Sequence, residues 1–308
     1  MSIVEAYAQE LADPAQPLAV GKLANLSSIE PEEAALVRDV WLEMELTRRQ
    51  RLVQELIDLA EDNVELNFEA VFFIALTDLD AGVRKSAIEG LWEYEERDLI
   101  DSLLDLLERD PNAGVRAESA LSLGRFVLQG EFGKLAASDT ERIERALRKA
   151  IDSTAEVVEV RGRALESIGA HSAPWVAELI QRAVESTDRR LLLSAVHAMG
   201  RSCDVDWLPQ VIDALASDDA GIRFEAAGAC GALGDAAAIP HLVAAIEEED
   251  AEVQEAAVAA LGEIGGAQAK ETLEALIAGE NERLRDAARA ALIELDFATD
   301  PLGIKLEG

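Results

Sequence analysis

The sequence predicts an all-α fold, an α-solenoid in which antiparallel helix pairs stack along the chain. A short phrase recurs over most of the chain with a period near 31 residues, which is typical of repeat proteins. Ala, Leu, Val and Ile dominate the apolar residues and only 4% of the chain is aromatic, a mixture that suits closely packed helices. With only 8 prolines and no long Gly/Ser tract, the chain has no obvious linker.

The recurring phrase begins with an acid or amide, has an aliphatic residue three positions later, usually Arg next, and ends at Gly. One copy reads DAGIRFEAAGACG from Asp219. We call the aliphatic residue the anchor. The seven anchors are Val83, Val115, Val160, Leu191, Ile222, Val253 and Leu284. Successive anchors are 32, 45, 31, 31, 31 and 31 residues apart, so the phrase predicts structural repeats of one length.

Each period contains two helical patterns. The helix that carries the anchor, here called the anchor helix, has apolar residues at helical spacing, as over 253–264. The pattern ends at glycines, Gly231 with Gly234 in one repeat and Gly262 with Gly265 and Gly266 in the next, which suit either a helix end or tight packing. The second helix opens with Pro209 in one repeat and Pro240 in the next, because proline is tolerated in the first helical turn.

Polar residues at fixed places in the period predict caps and ion pairs. An Asp or Asn stands three residues before six of the anchors and can cap the anchor helix; these are Asp80, Asn112, Asp188, Asp219, Asp250 and Asn281. Arg follows five anchors; these are Arg84, Arg116, Arg161, Arg223 and Arg285. We expect the Asp of one repeat to lie near the Arg of its neighbour, so that these arginines form a structural ladder.

Three segments depart from the period. Residues 1–30 contain a short amphipathic pattern broken by Pro14 and Pro17, and we interpret them as an N-terminal cap or a mobile arm. The 45-residue interval has about 14 extra residues and predicts an insertion loop near 129–140, either a functional loop or a tolerated surface insertion. Residues 298–308, which include Pro301, are predicted to be a C-terminal tail.

The helix-turn-helix unit with its turn Asp, its V-R pair and its G-x-x-G ending resembles HEAT repeats of the phycobilisome-lyase-like class. The resemblance covers about residues 64–295, and the wider chain is similar to bacterial HEAT-domain proteins without an assigned activity. It implies a right-handed superhelix of antiparallel helix pairs, with the anchor helices on the concave side. We therefore expect a HEAT-repeat array of about eight helix pairs over residues 31–297.

The charge balance excludes several classes of partner. The chain has 28 Lys and Arg against 61 Asp and Glu, a net charge of −33. Such a surface disfavours nucleic acid and anionic membranes, although the acidity also serves solubility. The sequence shows neither a signal peptide nor an apolar run long enough to span a membrane, so we expect a cytoplasmic protein. Cys203 and Cys230 both fall in helical patterns, where we expect two small buried residues.

The sequence predicts no catalytic residues, no metal site and no cofactor. His171, His197 and His241 fall at different places in the period, so nothing brings them together. HEAT-repeat iron hydroxylases carry paired His-Glu dipeptides, and this chain has none. Bilin lyases share the repeat class and need Arg for propionate groups; the candidates for that role are Arg125, Arg163 and Arg201.

The predicted binding surface lies on the anchor helices. Residues 202–282 hold 18 acidic residues against Arg223 and Lys270, a net of −16. Phe224 stands among these acids as an aromatic anchor for a peptide, or else packs against a neighbouring repeat. The acidic candidates on this surface are Glu225, Asp235, Glu255 and Glu263, and upstream Glu89 and Glu93 share one helical face.

These features favour a non-catalytic scaffold whose acidic concave surface binds a protein or peptide of basic or mixed charge. The alternative is an accessory factor, lyase-like or chaperone-like, for a protein that carries a cofactor. Self-association through the end repeats is a third possibility, because an imperfectly capped array can stack.

Overall fold

The computed structural model describes residues 2–299, whose regular secondary structure is all helical. The α-helices in chain order are α1 Ile3–Ala12, α2 Pro31–Trp41, α3 Leu46–Asp62, α4 Glu69–Ala75, α5 Ala81–Gly90, α6 Arg97–Arg109, α7 Ala113–Glu131, α8 Ala137–Asp152, α9 Val158–Ile168, α10 Pro174–Val184, α11 Arg189–Arg201, α12 Leu208–Leu215, α13 Ala220–Leu233, α14 Ile239–Ile246, α15 Ala251–Ile264, α16 Gly266–Ala278 and α17 Glu282–Thr299. No strand interrupts them within this range. The expected all-α solenoid of paired helices is confirmed.

The chain forms two compact units. Unit 1 comprises residues 2–130 and 135–160, and unit 2 comprises 131–134 and 161–299. Each unit has its own apolar core. Phe68, Phe72 and Phe126 are fully buried in unit 1, and Leu242 and Leu261 are fully buried in unit 2.

The helix starts follow the predicted capping pattern. In all six repeats with an Asp or Asn before the anchor, its side-chain oxygen accepts a hydrogen bond from the backbone N–H of the anchor, at 3.1 to 3.4 Å. Such caps satisfy amide groups that the helix leaves without a partner, each worth about 1 kcal/mol.

In unit 2 the anchor helices α11, α13, α15 and α17 pack side by side in one layer. The second helices α10, α12, α14 and α16 lie behind, each packed on the anchor helix that follows it. Neighbouring anchor helices contact each other much more extensively than successive second helices do.

Glycine and alanine make this close approach possible. A Cβ added to Gly200 would lie 2.8 Å from the Cα of Ala229, and one on Gly231 would lie 3.0 Å from the Cα of Ala260. The same contact recurs in the neighbouring repeats. The pairs of this Gly–Ala ladder are Gly169 with Ala198, Gly200 with Ala229, Gly231 with Ala260, and Gly262 with Ala291.

The predicted ladder of ion pairs exists, but its acids are different ones. Arg84 binds Asp110 through two hydrogen bonds of 2.7 and 2.8 Å, and Arg223 binds Glu248 at 2.7 Å. These acids stand two positions before the capping residue. The expected pairing with the capping Asp is therefore wrong for these repeats, while Arg189 does bind the capping Asp219.

The insertion lengthens two helices. Helix α7 has 19 residues and α8 has 16, against 14 and 8 in α13 and α14. Only residues 132–136 connect α7 to α8, so the loop expected near 129–140 is much shorter than predicted. The extra residues were read as loop because of Gly130 and Gly133, but Gly130 lies inside α7.

The two ends of the chain differ. Leu11 of α1, with Leu23 and Leu26 of the turn that follows it, is buried, and α1 packs on α2. Packing of this kind is what an N-terminal cap requires. At the other end α17 continues to Thr299, and residues 300–308 of the predicted tail lie outside the described residues. The boundaries at 30 and 297 stay predictions.

Candidate functional site

The anchor layer of unit 2 carries a groove of about 510 Å³ that crosses α11, α13 and α15. We call it the α13 groove. Small side chains form most of its lining, because the residues next to each glycine and alanine of the Gly–Ala ladder are also small. The lining residues are His197, Gly200, Arg201, Phe224, Glu225, Gly228, Ala229, Ala232, Glu255, Ala256, Ala259, Ala260 and Glu263.

Four of the residues proposed from the sequence line this groove together. They are Phe224, Glu225, Glu255 and Glu263. Asp235 lies elsewhere, since its side chain accepts a hydrogen bond of 2.8 Å from the N–H of Ala237 and caps the turn after α13.

Phe224 combines with the small residues to form an apolar surface between carboxylates. Phe224 is 43% exposed, so packing against the neighbouring repeat does not bury it. Gly228 and Ala232 lie on the same helix and leave space beside the ring. The groove thus offers one aromatic wall above a floor of alanine and glycine.

The carboxylates of the groove differ in their surroundings. Glu225 lies 3.1 Å from Nδ1 of His197, and Glu255 lies 3.4 Å from Nε of Arg283. Burial of part of the Glu263 side chain, and then the negative charge of Glu294, raise the pKa of Glu263. A cation placed beside Glu263 would therefore relieve an existing repulsion.

Sequence reasoning missed His197 and Arg201, which form one end of the α13 groove. The signal was present, because they stand six and ten positions after their anchor. The same offsets from the next two anchors give residues that also line the groove; they are Gly228, Ala232, Ala259 and Glu263. Within the described residues, the guanidinium of Arg201 has no ion pair.

Glu89 and Glu93 belong to unit 1 and line two separate pockets. Glu93 lines a pocket of about 410 Å³ with Tyr94, and Glu89 lines one of about 290 Å³ with Arg125. Trp92 contributes to both pockets and is 59% exposed. Helix α5 ends at Gly90, and Trp92 stands in the turn that follows it.

The two cysteines differ in their exposure to solvent. Cys230 is buried in α13, and burial raises the pKa of its thiol to about 12. Cys203 is exposed in the turn after α11, with φ of 52°. The expectation of two buried cysteines is therefore wrong for Cys203.

Among residues 2–299, no three His, Cys, Asp or Glu side chains are grouped so that they could hold a metal ion. Over the same range, no helix combines the length and apolarity that crossing a membrane requires.

Comparison with known proteins identifies the repeat. A family model described as HEAT repeats matches residues 69–153, 176–248 and 208–293. No curated protein matches the chain. The fold is similar to the complex of CpcE and CpcF of phycocyanin lyase from Nostoc sp. PCC7120, with a TM-score of 0.52, 18% identity, and coverage of 92% of this chain and 96% of that one. It is also similar to yeast importin-β (Kap95p), with a TM-score of 0.55, 13% identity, and coverage of 97% of this chain and 47% of that one.

Proposed function

Because the chain belongs to the HEAT-repeat family, the predicted resemblance is confirmed, and we propose that the protein is a non-catalytic scaffold that binds a basic segment of another protein in the α13 groove. The observation that carries this proposal is the convergence of Phe224, Glu225, Glu255 and Glu263 on one groove with a floor of small residues.

The groove fits a segment in which an apolar side chain stands next to Lys or Arg. The apolar side chain would bury surface against Phe224 and the alanine floor, at roughly 25 cal/mol per Å² of apolar area. The cation would meet Glu255 or Glu263 at the rim. Aromatic residues enclosed by polar groups are the usual energetic centres of protein interfaces.

Long-range charge supports the same partner. The excess of acidic residues over 202–282 surrounds the groove and would raise the association rate of a cationic segment. The two kinds of contribution can be separated, because steering follows total charge whereas binding in the groove depends on particular side chains.

The test is fluorescence anisotropy with a labelled Lys/Leu peptide, using the variant Glu225→Lys/Glu255→Lys. Its matched control is Glu247→Lys/Glu249→Lys, which makes the same change of charge at two exposed residues of the turn after α14. We expect the groove variant to weaken binding on the order of tenfold or more, about 1.4 kcal/mol, and the control to weaken it much less.

The variant Phe224→Ala is an independent test, because it changes the groove and leaves the charge unchanged. It should also weaken binding of the peptide, with the helical circular dichroism unaltered. Equal losses in the two charge variants, with no loss in Phe224→Ala, would mean that the peptide follows net charge and that the groove is not its site.

The accessory-lyase alternative has less support in the geometry. Of the arginines considered for propionate groups, Arg163 is already held by Glu166 at 2.9 Å, and Arg125 and Arg201 line different pockets in different units. The similarity to the phycocyanin lyase complex shows a shared fold at 18% identity. Absorbance of the purified protein tests the lyase alternative directly, since a bound tetrapyrrole would absorb visible light.

A further inference from the structure

Two buried polar atoms of unit 1 have no hydrogen-bond partner. Throughout residues 2–299, Oγ of Ser122 and Nε of Arg125 are the buried side-chain atoms in this condition. The two residues lie one turn apart on α7, and both line the pocket of about 290 Å³. Leaving such a group unsatisfied costs about 1–3 kcal/mol, so the coincidence of both in one pocket calls for an explanation.

The guanidinium of Arg125 is fixed in place but not neutralised. Its Nη1 donates to the carbonyl of Trp92 at 2.6 Å, and its Nη2 donates to the carbonyl of Leu91 at 2.9 Å. Both acceptors are neutral, and no carboxylate of the described residues forms an ion pair with it. Burial lowers the pKa of Arg125 to about 10, against the opposing charge of Glu95, and the group remains a cation at neutral pH.

The remaining wall of the pocket has the opposite charge. Glu61 and Glu89 line it and have no ion-pair partner within the described residues, whereas Glu118 is paired with Lys85 at 3.5 Å. The exposed side chain of Trp92 belongs to the same lining. A simple anion would therefore be repelled by one wall, and a simple cation by the other.

We propose that this pocket binds the carboxylate end of a basic amino acid, either free or as the last residue of a peptide. The carboxylate would accept hydrogen bonds from Nε of Arg125 and from the hydroxyl of Ser122. The cationic side chain would lie over Trp92 towards Glu61 and Glu89. A volume just below the usual range of about 300–1,000 Å³ for ligand pockets limits the ligand to a single residue.

The geometry suits this chemistry. A hydrogen bond from a guanidinium to a carboxylate is charge-assisted and about twice as strong as a neutral one. Two donations to backbone carbonyls hold Arg125 before the ligand arrives, so little side-chain entropy is lost on binding. The site lies wholly in unit 1 and does not depend on the α13 groove.

The first experiment is isothermal titration calorimetry with L-arginine and L-argininamide, which differ in the carboxylate. Saturable binding of arginine with binding at least about tenfold weaker for the amide supports the proposal. Equal binding of the two, or no saturable heat with arginine, overturns it; the second result means that the pocket holds water only. Acetylated peptides that end in Arg, with a free or an amidated carboxyl group, then distinguish a peptide terminus from a free amino acid.

Variants locate the binding. Arg125→Lys keeps the charge but loses the fork of donors, and should weaken arginine binding on the order of tenfold. Arg109→Lys is the matched control, since Arg109 is an exposed arginine of α6 in the same unit and does not line this pocket, and it should change nothing. If Arg125→Lys fails to fold, Ser122→Ala answers the same question; it removes an unpartnered hydroxyl, so it should fold normally and bind arginine more weakly. Unchanged binding in Ser122→Ala and in a folded Arg125→Lys would place the ligand elsewhere.

Discussion

At the scale of single residues, the spacing between anchor helices depends on glycine. Gly200 faces the backbone of Ala229 at a distance that leaves no room for a methyl group, and neither backbone can retreat without disturbing the helices behind it. Gly228, one helix further on, faces open space, and nothing lies within 4 Å of its missing Cβ. The two glycines look alike in the sequence and have opposite structural roles.

We predict that Gly200→Ala lowers the free energy of unfolding by about 1–3 kcal/mol, the usual cost of overpacking. Gly228→Ala should raise it by up to about 1 kcal/mol, because alanine is the better helix former. Urea denaturation of the two variants measures both values. A stabilised Gly200→Ala protein would show that the anchor helices can move apart at little cost.

At the scale of elements, a buried carboxylate ties α9 to α11. Glu166 of α9 binds Nη1 of Arg190 at 2.7 Å and the hydroxyl of Ser194 at 2.9 Å, and it also binds Arg163 of its own helix. Burial alone would raise the pKa of Glu166, but the hydrogen bonds and charges of these partners hold it below its usual value. The two helices are therefore joined by a group that must stay ionised.

We predict that the network between α9 and α11 makes unit 2 sensitive to acid. Since the pKa of Glu166 is lower in the folded chain than in the unfolded chain, its stabilising contribution is present above the unfolded pKa, about 4.3, and is lost as the pH falls through the folded pKa. Thermal unfolding between neutral pH and about pH 3 should show a smaller loss for Glu166→Gln than for the wild type. Glu166→Gln should also be less stable at neutral pH, because the charged bond between Arg190 and Glu166 is then lost. An unaltered pH dependence would contradict this assignment.

At the scale of the whole molecule, a net charge of −33 acts on stability and on binding in opposite ways. Mutual repulsion of surface carboxylates destabilises the compact chain. The same charge attracts a cationic partner. Salt screens both effects at exposed groups and has little influence on buried pairs such as Arg84 with Asp110.

We predict that raising the salt concentration from about 0.01 M to about 1 M, over which the Debye length falls from about 30 Å to about 3 Å, increases the Tm while it weakens binding of the Lys/Leu peptide. Scanning calorimetry and anisotropy on one preparation measure the two trends. A Tm that falls with salt would mean that exposed ion pairs outweigh the repulsion.

Most of the fold could be predicted because the same residue pattern, and with it the same packing contact, recurs in each repeat. The period gave the anchor helices, their caps and the face on which Phe224, Glu225 and Glu255 lie. Side-chain partners were less predictable. Arg84 takes Asp110 rather than the capping Asn112, since Asn112 carries no charge, and the position of Asp110 two residues earlier is visible only when the turn is built.

The features that break the period could not be predicted in detail. Trp92 stands at the position where the repeats of the Gly–Ala ladder have glycine, and a tryptophan cannot fit the same contact. The carboxylates Glu89 and Glu93 were placed on one helical face, whereas α5 ends between them at Gly90. The pairing of Ser122 with Arg125 in one pocket required the structure, because no other repeat has Ser and Arg together at these two offsets.

The Gly–Ala ladder also bears on how the chain could change in length. Its glycines and its alanines both recur every 31 residues, so deleting one whole period would bring Gly200 against Ala260 in the contact it now makes with Ala229. Duplicating a period would likewise add a rung that matches those on either side. An insertion of any other length would put the glycines and alanines out of register, so it has to lengthen the helices or loops of one repeat. The insertion in α7 and α8 does this by lengthening both helices. Gain or loss of whole repeats is therefore a route by which a chain of this kind can change the length of its binding face without redesigning its core.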